Sequence, residues 1–478
     1  MTGLKDVSPA IASRHLPTAR VELAHAKPFD HAFGGIRWWM MMLRDAMRAY
    51  PSELYEVSHL VSGKPGRRGL MLVDPELIQR AFVRDADAFS VRPDTLVPLL
   101  GRGLLTSSGN HWRWQRRVIA PAFRSDRLAA FVPAFARAAE RTAARWSALP
   151  QGSIIDVGHE MMRNTFDIIA ATMLSDGADL DVAQFEQAVS TSLDATRWRV
   201  IHGLFRLPKR LRFPAQHRAE AAERWMQDRV LRIVASRRAA LAAGARPRED
   251  LLDLLLQADD PEGDGGQMAD RDVADNILTF IVAGHETTAY ALTWTLYALA
   301  QHPQITDRLC EEVAEIVGEL PIGREHLDRL VYTRQVVQEG LRLFPSAPVM
   351  YRKVQRDVTV GDLELRKGEH LVVPIYVVHR HSTSWTDPNR FDPDRFSAAA
   401  SAGRHRYSFL PFGVGPRTCI GLNFGINEMV VILATLVPRF RLDLASGTRP
   451  ELTVKLTLRP RRPMRMSLAH RHRSRASA

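Results

Sequence analysis

Cysteine is almost missing from this chain of 478 residues: Cys310 and Cys419 are the only two. Two thiols cannot make a disulfide framework, so nothing argues for an oxidising compartment. Nor can they build an iron–sulfur cluster or a thiolate zinc site, which need clustered ligands. Long apolar runs are missing as well. The N-terminus, "MTGLKDVSPAIASRHLPTAR", lacks the apolar core of a signal peptide. The apolar run between Arg37 and Arg44 in "IRWWMMMLRDAM" is too short to cross a bilayer. A cytoplasmic protein is therefore expected, with peripheral membrane contact at most. No internal repeat is visible at solenoid or propeller periods. Acid is scarce relative to base: the net charge is +12, and the stretch from Arg459 to Ala478 supplies seven arginines and no acid. A basic tail can bind nucleic acid or anionic lipid. No aromatics are interleaved with these arginines, so nucleic acid is discounted, and a solvated end explains the charge equally well.

What is present suits a globular enzyme: 45% hydrophobic and 25% charged residues. Short strand-like pieces in residues 55–75 are broken by "SGKPGRRG", and "DPELIQRAF" opens a helix. Residues 110–260 are almost wholly helical in pattern. After the acidic loop "DDPEGDGG", Ala269 to His302 reads as a long buried helix, apolar on most faces through "ILTFIVAG". A further helix ends at "LRLFP", stopped by Pro345. "DVTVGDLELRKGEHLVVPIYVV" alternates and turns as a meander should. A loop with Cys419, a helix from Ile420 to about Val437 and two terminal strands complete the chain. The expectation is a mostly α fold with a smaller β region contributed from both ends of the sequence, in one domain.

Cys310, in "DRLCEEV", reads as a small buried hydrophobe. Cys419 does not. In "PFGVGPRTCIG" it stands among Gly413, Gly415 and Gly421, two residues after Arg417 and directly before an apolar helix. Glycine belongs where backbone approaches something closely or turns left-handed. A following helix N-terminus favours the thiolate. Such a sulfur can be a nucleophile or a metal ligand, and no histidine base lies nearby in sequence. A haem ligand would also want hydrogen bonds to the sulfur and cations for the propionates, and Arg417 is one such cation.

"FGVGPRTCIG" resembles the haem-binding loop of the cytochrome P-450 family, F-x-x-G-x-R-x-C-x-G. Phe412, Gly415, Arg417, Cys419 and Gly421 fill its named positions. One departure is Gly425, where the family usually has alanine. The resemblance implies a single-domain haem-thiolate fold, with haem b between the long central helix and the cysteine-loop helix. Cys419 would be the axial iron ligand, with Phe412, Gly413, Arg417 and Gly421 around it. Three more segments follow the family's order. "EGLR" gives Glu339 and Arg342, three apart on one helix face, and "FDPDRF" gives Pro393, Arg395 and Phe396. Together Glu339, Arg342 and Arg395 resemble the family's structural Glu-Arg-Arg network. "AGHETT" resembles its oxygen-activating motif: small Ala283 and Gly284 leave room for dioxygen, Thr287 offers a hydroxyl and Glu286 feeds protons. A helix-bending role for the threonines is the plainer alternative. "HWRWQRR" places Trp112 and Arg116 where the family binds a propionate, and Arg352 also fits a propionate position. Arg113 and Arg117 read equally as an ordinary basic face.

By the same resemblance, substrate would meet the loop around 90–104, Phe280, Ala283, the segment Ala347, Val349 and Met350, and Leu456. These residues are apolar, as a pocket for a lipophilic molecule requires, although core packing explains each of them too. The stretch 197–214 mixes Trp198, Phe205 and Phe213 with six Lys/Arg residues and no acid, and in the family this region caps the substrate entrance. The division expected is an extension (1–30), a haem-thiolate monooxygenase domain (31–466) and a basic tail (467–478). With no fused reductase expected, electrons from NAD(P)H would arrive through a separate ferredoxin or flavodoxin and its reductase. Two rivals stand beside the monooxygenase. A haem-thiolate peroxygenase would use hydrogen peroxide and typically lacks the acid–alcohol pair, and a non-catalytic haem sensor would need no proton delivery.

Overall fold

The computed structural model describes residues 54–56, 69–91, 95–174, 182–204, 208, 211–248, 250–259, 267–318, 321–454 and 456–471. The extension 1–30, the run near Ile36 and residues 472–478 of the basic tail lie outside them. In chain order the strands are β1 (Leu54–Glu56), β2 (Gly69–Leu72), β3 (Phe89–Ser90), β4 (Ile154–Asp156), β5 (Met350–Val354), β6 (Val358–Val360), β7 (Leu363–Leu365), β8 (His370–Val373), β9 (Phe440–Leu444), β10 (Leu452–Val454), β11 (Leu458–Pro460) and β12 (Arg465–His470). The principal helices are α1 (Gly109–Ile119), α2 (Val132–Ser147), α3 (Val157–Leu174), α4 (Val182–Leu204), α5 (Gln216–Ala242), α6 (Asp270–Ala300), α7 (Pro303–Ile316), α8 (Val331–Leu343) and α9 (Leu422–Leu436). Two compact units share these elements, and each is built from separated pieces of sequence.

The first unit takes Met1–Arg92, Ala347–Arg390 and Ala402–Cys419. Its sheet has the order β1-β2-β8-β5-β3, with β2 and β8 parallel and the other pairs antiparallel. Along β5 the two-residue period buries Met350, Arg352 and Val354, while Tyr351 and Lys353 stay half-buried. The buried face joins a core that includes Leu70, Leu72, Ile78, Phe82, Val373, Leu410 and Val414. Asp74 caps the first helix by accepting from the Leu77 amide at 2.7 Å, with Pro75 pre-set for the opening turn. That helix widens into a π turn over Arg80–Arg84. The expected meander is only half realised. β6 and β7 form a hairpin, but β8 leaves it to pair with β2 and β5. "PIYVV", expected as strand, gives a helical turn at Ile375–Val378, because Pro374 has no N–H with which to extend the ladder.

The second unit holds Pro93–Ser346, Phe391–Ser401 and Ile420–Ala478. Its long helix α6 is buried without interruption from Val273 to Val282. At its C-terminal end Trp294 stacks on Phe344, the ring centres 4.8 Å apart. Phe135 of α2 meets Phe424 of α9 edge-on at 4.9 Å, and truncating a phenylalanine so buried costs about 3–5 kcal/mol. Helix α8 ends at Leu343, ahead of Pro345, as the sequence predicts. Helix α9 begins at Leu422, two residues later than expected, because Gly421 has not yet reached helical geometry (φ −85°, ψ 15°). β4 interrupts a stretch expected to be almost wholly helical and pairs with β12, which also pairs with β9. The C-terminal region carries four strands where two are expected, the extra pair being the hairpin β10–β11. Among the described residues no helix is long and apolar enough to cross a membrane.

Candidate functional site

In the first unit the cysteine loop is closed by its own backbone. The Cys419 amide donates to the Phe412 carbonyl at 2.9 Å, and Thr418 donates to the Gly415 carbonyl through both its amide (3.0 Å) and its hydroxyl (2.7 Å). Gly413 and Gly415 have φ of +76° and +73°, the left-handed region that side chains resist. Gly415 is constrained twice, because a Cβ there would fall 1.8 Å from the Phe82 carbonyl oxygen. The π turn Arg80–Arg84 thus presses its backbone against the loop. Upstream, the fully buried His379 accepts the Leu410 amide at Nε2, 2.9 Å away. The loop so held leaves Cys419 exposed and Arg417, Phe412 and Gly413 half-buried.

Arg352 belongs to the same unit. It lies on the core-facing side of β5, where its Nη1 donates to the Tyr351 carbonyl at 2.8 Å and its guanidinium stands 5.7 Å from the Phe82 ring centre. Among the described residues no carboxylate pairs with it, and burial pulls it down to about 10. A cation in that setting calls for an anion to neutralise it. Together with an exposed thiol on a glycine loop, this donor set fits a haem with acidic propionates.

In the second unit α6 brings together the residues of "AGHETT". After the buried run that ends at Val282, Ala283 is exposed and Gly284 and Thr287 are half-buried. Thr287 donates its hydroxyl to the Ala283 carbonyl at 2.7 Å, while its own carbonyl accepts from Ser346 Oγ, also at 2.7 Å. Glu286 is buried, with Oε1 accepting from Thr457 Oγ1 at 3.0 Å and facing Arg459 Nη1 at 3.4 Å. His285 turns away into the core, where its ring meets Phe166 edge-on and burial holds it down at about 4. Ser346, Thr457 and Arg459 are absent from the sequence-predicted set. No periodicity marks them, and only nearness to Pro345 or Leu456 could have drawn attention there.

Glu339 and Arg342 are fully buried, joined by hydrogen bonds of 2.7 and 2.8 Å. Arg395 Nε reaches Glu339 Oε1 at 3.6 Å, and the Asp392 amide donates to the same oxygen at 2.8 Å. Burial raises the Glu339 carboxyl, and the Arg342 guanidinium opposes that rise. Trp112 and Arg116 lie four apart on α1, both half-buried. Of the residues expected at substrate, Ala347 and Leu456 are exposed and Val349 half-buried. Phe280 is buried edge-on to Phe123 at 5.3 Å, and Met350 is part of its unit's core. The loop 95–104 is fastened to α6 by Asp275 and Asn276, which accept the Arg102 amide at 2.7 Å and the Leu104 amide at 2.8 Å. In the basic stretch near 197–214, Arg199 is taken by Glu223 of α5 at 2.7 Å, a buried ion pair rather than a free surface charge.

Comparison with known proteins identifies the family of the chain. The family model described as "Cytochrome P450" matches residues 34–468. The chain is 33% identical over 393 residues to cyclooctatin synthase of Streptomyces melanosporofaciens, covering 81% of this chain and 84% of that one. It is 32% identical over 408 residues to pentalenene oxygenase of Streptomyces avermitilis, covering 83% and 87%. The crystal structure of the cytochrome P450DA haem domain superposes with a TM-score of 0.81 at 25% identity, over 93% of this chain and 95% of that one. The chain belongs to the cytochrome P450 family of monooxygenases.

Proposed function

We propose that the protein inserts one oxygen atom of O2 into a lipophilic small molecule, by hydroxylation or epoxidation. Haem b would be held through Cys419, and electrons would come from NAD(P)H through a separate ferredoxin or flavodoxin and its reductase. The observation that carries this reading is the closed glycine loop that leaves the Cys419 thiol exposed. Haem, when bound, supplies the redox chemistry that activates dioxygen, which a thiolate ligand promotes. Arg352, Arg116 and Trp112 would hold the propionates, with Arg417 beside the cysteine. Ala283 keeps its exposed stretch of α6 free of bulk, and Gly284 gives room to Ile169 of α3, which a Cβ there would meet at 2.7 Å. Thr287 places a hydroxyl on that face and Glu286 supplies protons to it. Phe280, Ala347, Val349, Met350 and Leu456 would present apolar surface to the substrate. The Glu286–Thr287 pair favours oxygen and reductant over hydrogen peroxide as the oxidant source. A cytoplasmic location, with no nucleic-acid partner, accompanies the proposal.

Ligation is tested by the reduced carbon monoxide complex, which should show the red-shifted Soret band of thiolate ligation. Cys419→His should abolish that band and Cys310→Ala should keep it. Cys310 is an inert control, its thiol pushed up by burial. A Cys419 variant that retained the band would overturn the assignment. Oxygen insertion is then tested with 18O2 and a reconstituted donor chain, on lipophilic compounds that shift the ferric spectrum. Label must appear in the product.

A further inference from the structure

We infer that Thr457 and Arg459, on the hairpin β10–β11, are positioning residues that clamp the Glu286 carboxylate and so govern its delivery of protons. The inference rests on the proposed role of Glu286 as proton source. A carboxylate buried in an apolar helix is costly unless its oxygens are satisfied. Here one oxygen takes both contacts, the Thr457 hydroxyl at 3.0 Å and the Arg459 guanidinium at 3.4 Å. The side chain of Arg459 is 18% exposed against 7% for Glu286, so the guanidinium meets solvent more than the acid it faces. Tyr290 lies one turn along α6, within the electrostatic reach of Arg459. Burial raises that phenol, Glu286 and Asp156 add to the rise, and Arg459 opposes it.

The same segment reaches the alcohol. Between the two clamp residues, the Leu458 amide donates to the Ser346 carbonyl at 2.9 Å, and Ser346 Oγ donates to the Thr287 carbonyl at 2.7 Å. Thr457 ends the bend before β11 and Arg459 lies within that strand; both side chains reach Glu286, while the backbone of Leu458 between them bonds Ser346. One three-residue segment therefore holds both members of the acid–alcohol pair, and it adjoins Leu456, whose exposed side chain is proposed to meet substrate. For Glu286 to serve Thr287's face of the helix, it must exchange this clamp for another partner. The guanidinium favours its charged form until it does.

Two measurements on the haem-loaded protein test the clamp. Infrared difference spectra taken across a pH titration should show the Glu286 carboxylic-acid band, assigned by its loss in Glu286→Gln. In Arg459→Gln that band should appear about 1–3 pH units higher than in the parent protein. Thr457→Val should move it less, and Arg459→Lys should restore most of its position. Peroxide released per electron pair, with ferredoxin and its reductase as donor, should at least double in Arg459→Gln, and Glu286→Gln/Arg459→Gln should be no worse than Glu286→Gln alone. If Glu286→Gln raises peroxide release but Arg459→Gln changes neither readout, the clamp is wrong while the proton-source reading stands. If Glu286→Gln itself releases no extra peroxide, the proton-source reading is wrong and the clamp's role goes with it.

Discussion

Replacing Arg352 by leucine measures how far a haem propionate is responsible for a buried cation. The guanidinium is 9% exposed, and among the described residues its hydrogen bond goes to a neighbouring carbonyl. Burial brings it from the ordinary arginine range down to about 10, which disfavours its charged form by about 3 kcal/mol. A carboxylate placed beside the charged guanidinium offsets roughly that much of its burial cost. Arg352→Leu should therefore weaken haem retention by about 3 kcal/mol, on the order of 100-fold. The assay is transfer of haem to excess apomyoglobin, followed at the Soret band, and transfer should quicken by up to that factor. Arg352→Lys should fall between, because a point charge remains but the planar fork that fits a carboxylate is lost.

The pH dependence has a definite sign. For a cation whose folded pKa lies below its unfolded value, the unfolded chain binds the extra proton as pH passes through about 10, so stability rises with pH there. Between pH 6 and 8 both states carry the charge, and the ratio of transfer rates between variant and parent should stay flat. Transfer from Arg352→Leu within twofold of the parent rate would refute the reasoning, since the buried charge would then have some other anion.

Three further outcomes follow from the geometry. Thr287→Ala should keep haem and substrate affinity but divert electrons to peroxide or water, read as product per NAD(P)H. Unchanged coupling would remove the hydroxyl from the mechanism. Gly413→Ala has only its φ of +76° to resist it, about 1–2 kcal/mol by melting, whereas Gly415→Ala also forces the Phe82 carbonyl aside and should deplete the carbon monoxide band; equal losses in the two would contradict the close approach. Arg113→Glu with Arg117→Glu should slow reduction by an acidic ferredoxin at low salt and leave haem content intact. The parent rate should fall as salt rises, and stopped-flow rates indifferent to salt and charge would put the docking surface elsewhere.

Long elements were legible because their patterns repeat. The 31 residues of α6 carry enough apolar periods to announce themselves, and Pro345 stops α8 wherever the rest of the chain goes. Short elements were not. β4 has three residues, and its reason for being extended is β12, more than 300 positions later. β8 shows the same limit: its short apolar run between Gly368 and Pro374 declares a strand, but only tertiary pairing decides that it joins β2 and β5 rather than β7.

The site divides along the same line. Cys419, Glu286 and Thr287 could be proposed from the sequence because the chemistry proposed for them depends on residues adjacent in sequence, on one loop or one helical turn. Their supports could not. His379 holds the loop at Leu410 across 31 positions, and Arg459 reaches Glu286 across 173. Arg352 stands between the two cases. The alternation of "MYRKV" already places an arginine on the same face as Met350 and Val354, an arrangement that costs stability unless something anionic meets it. A charge on the apolar face of a strand is a signal available before any fold is known. Here it points to the ligand, because among the described residues the protein offers no carboxylate of its own to answer it.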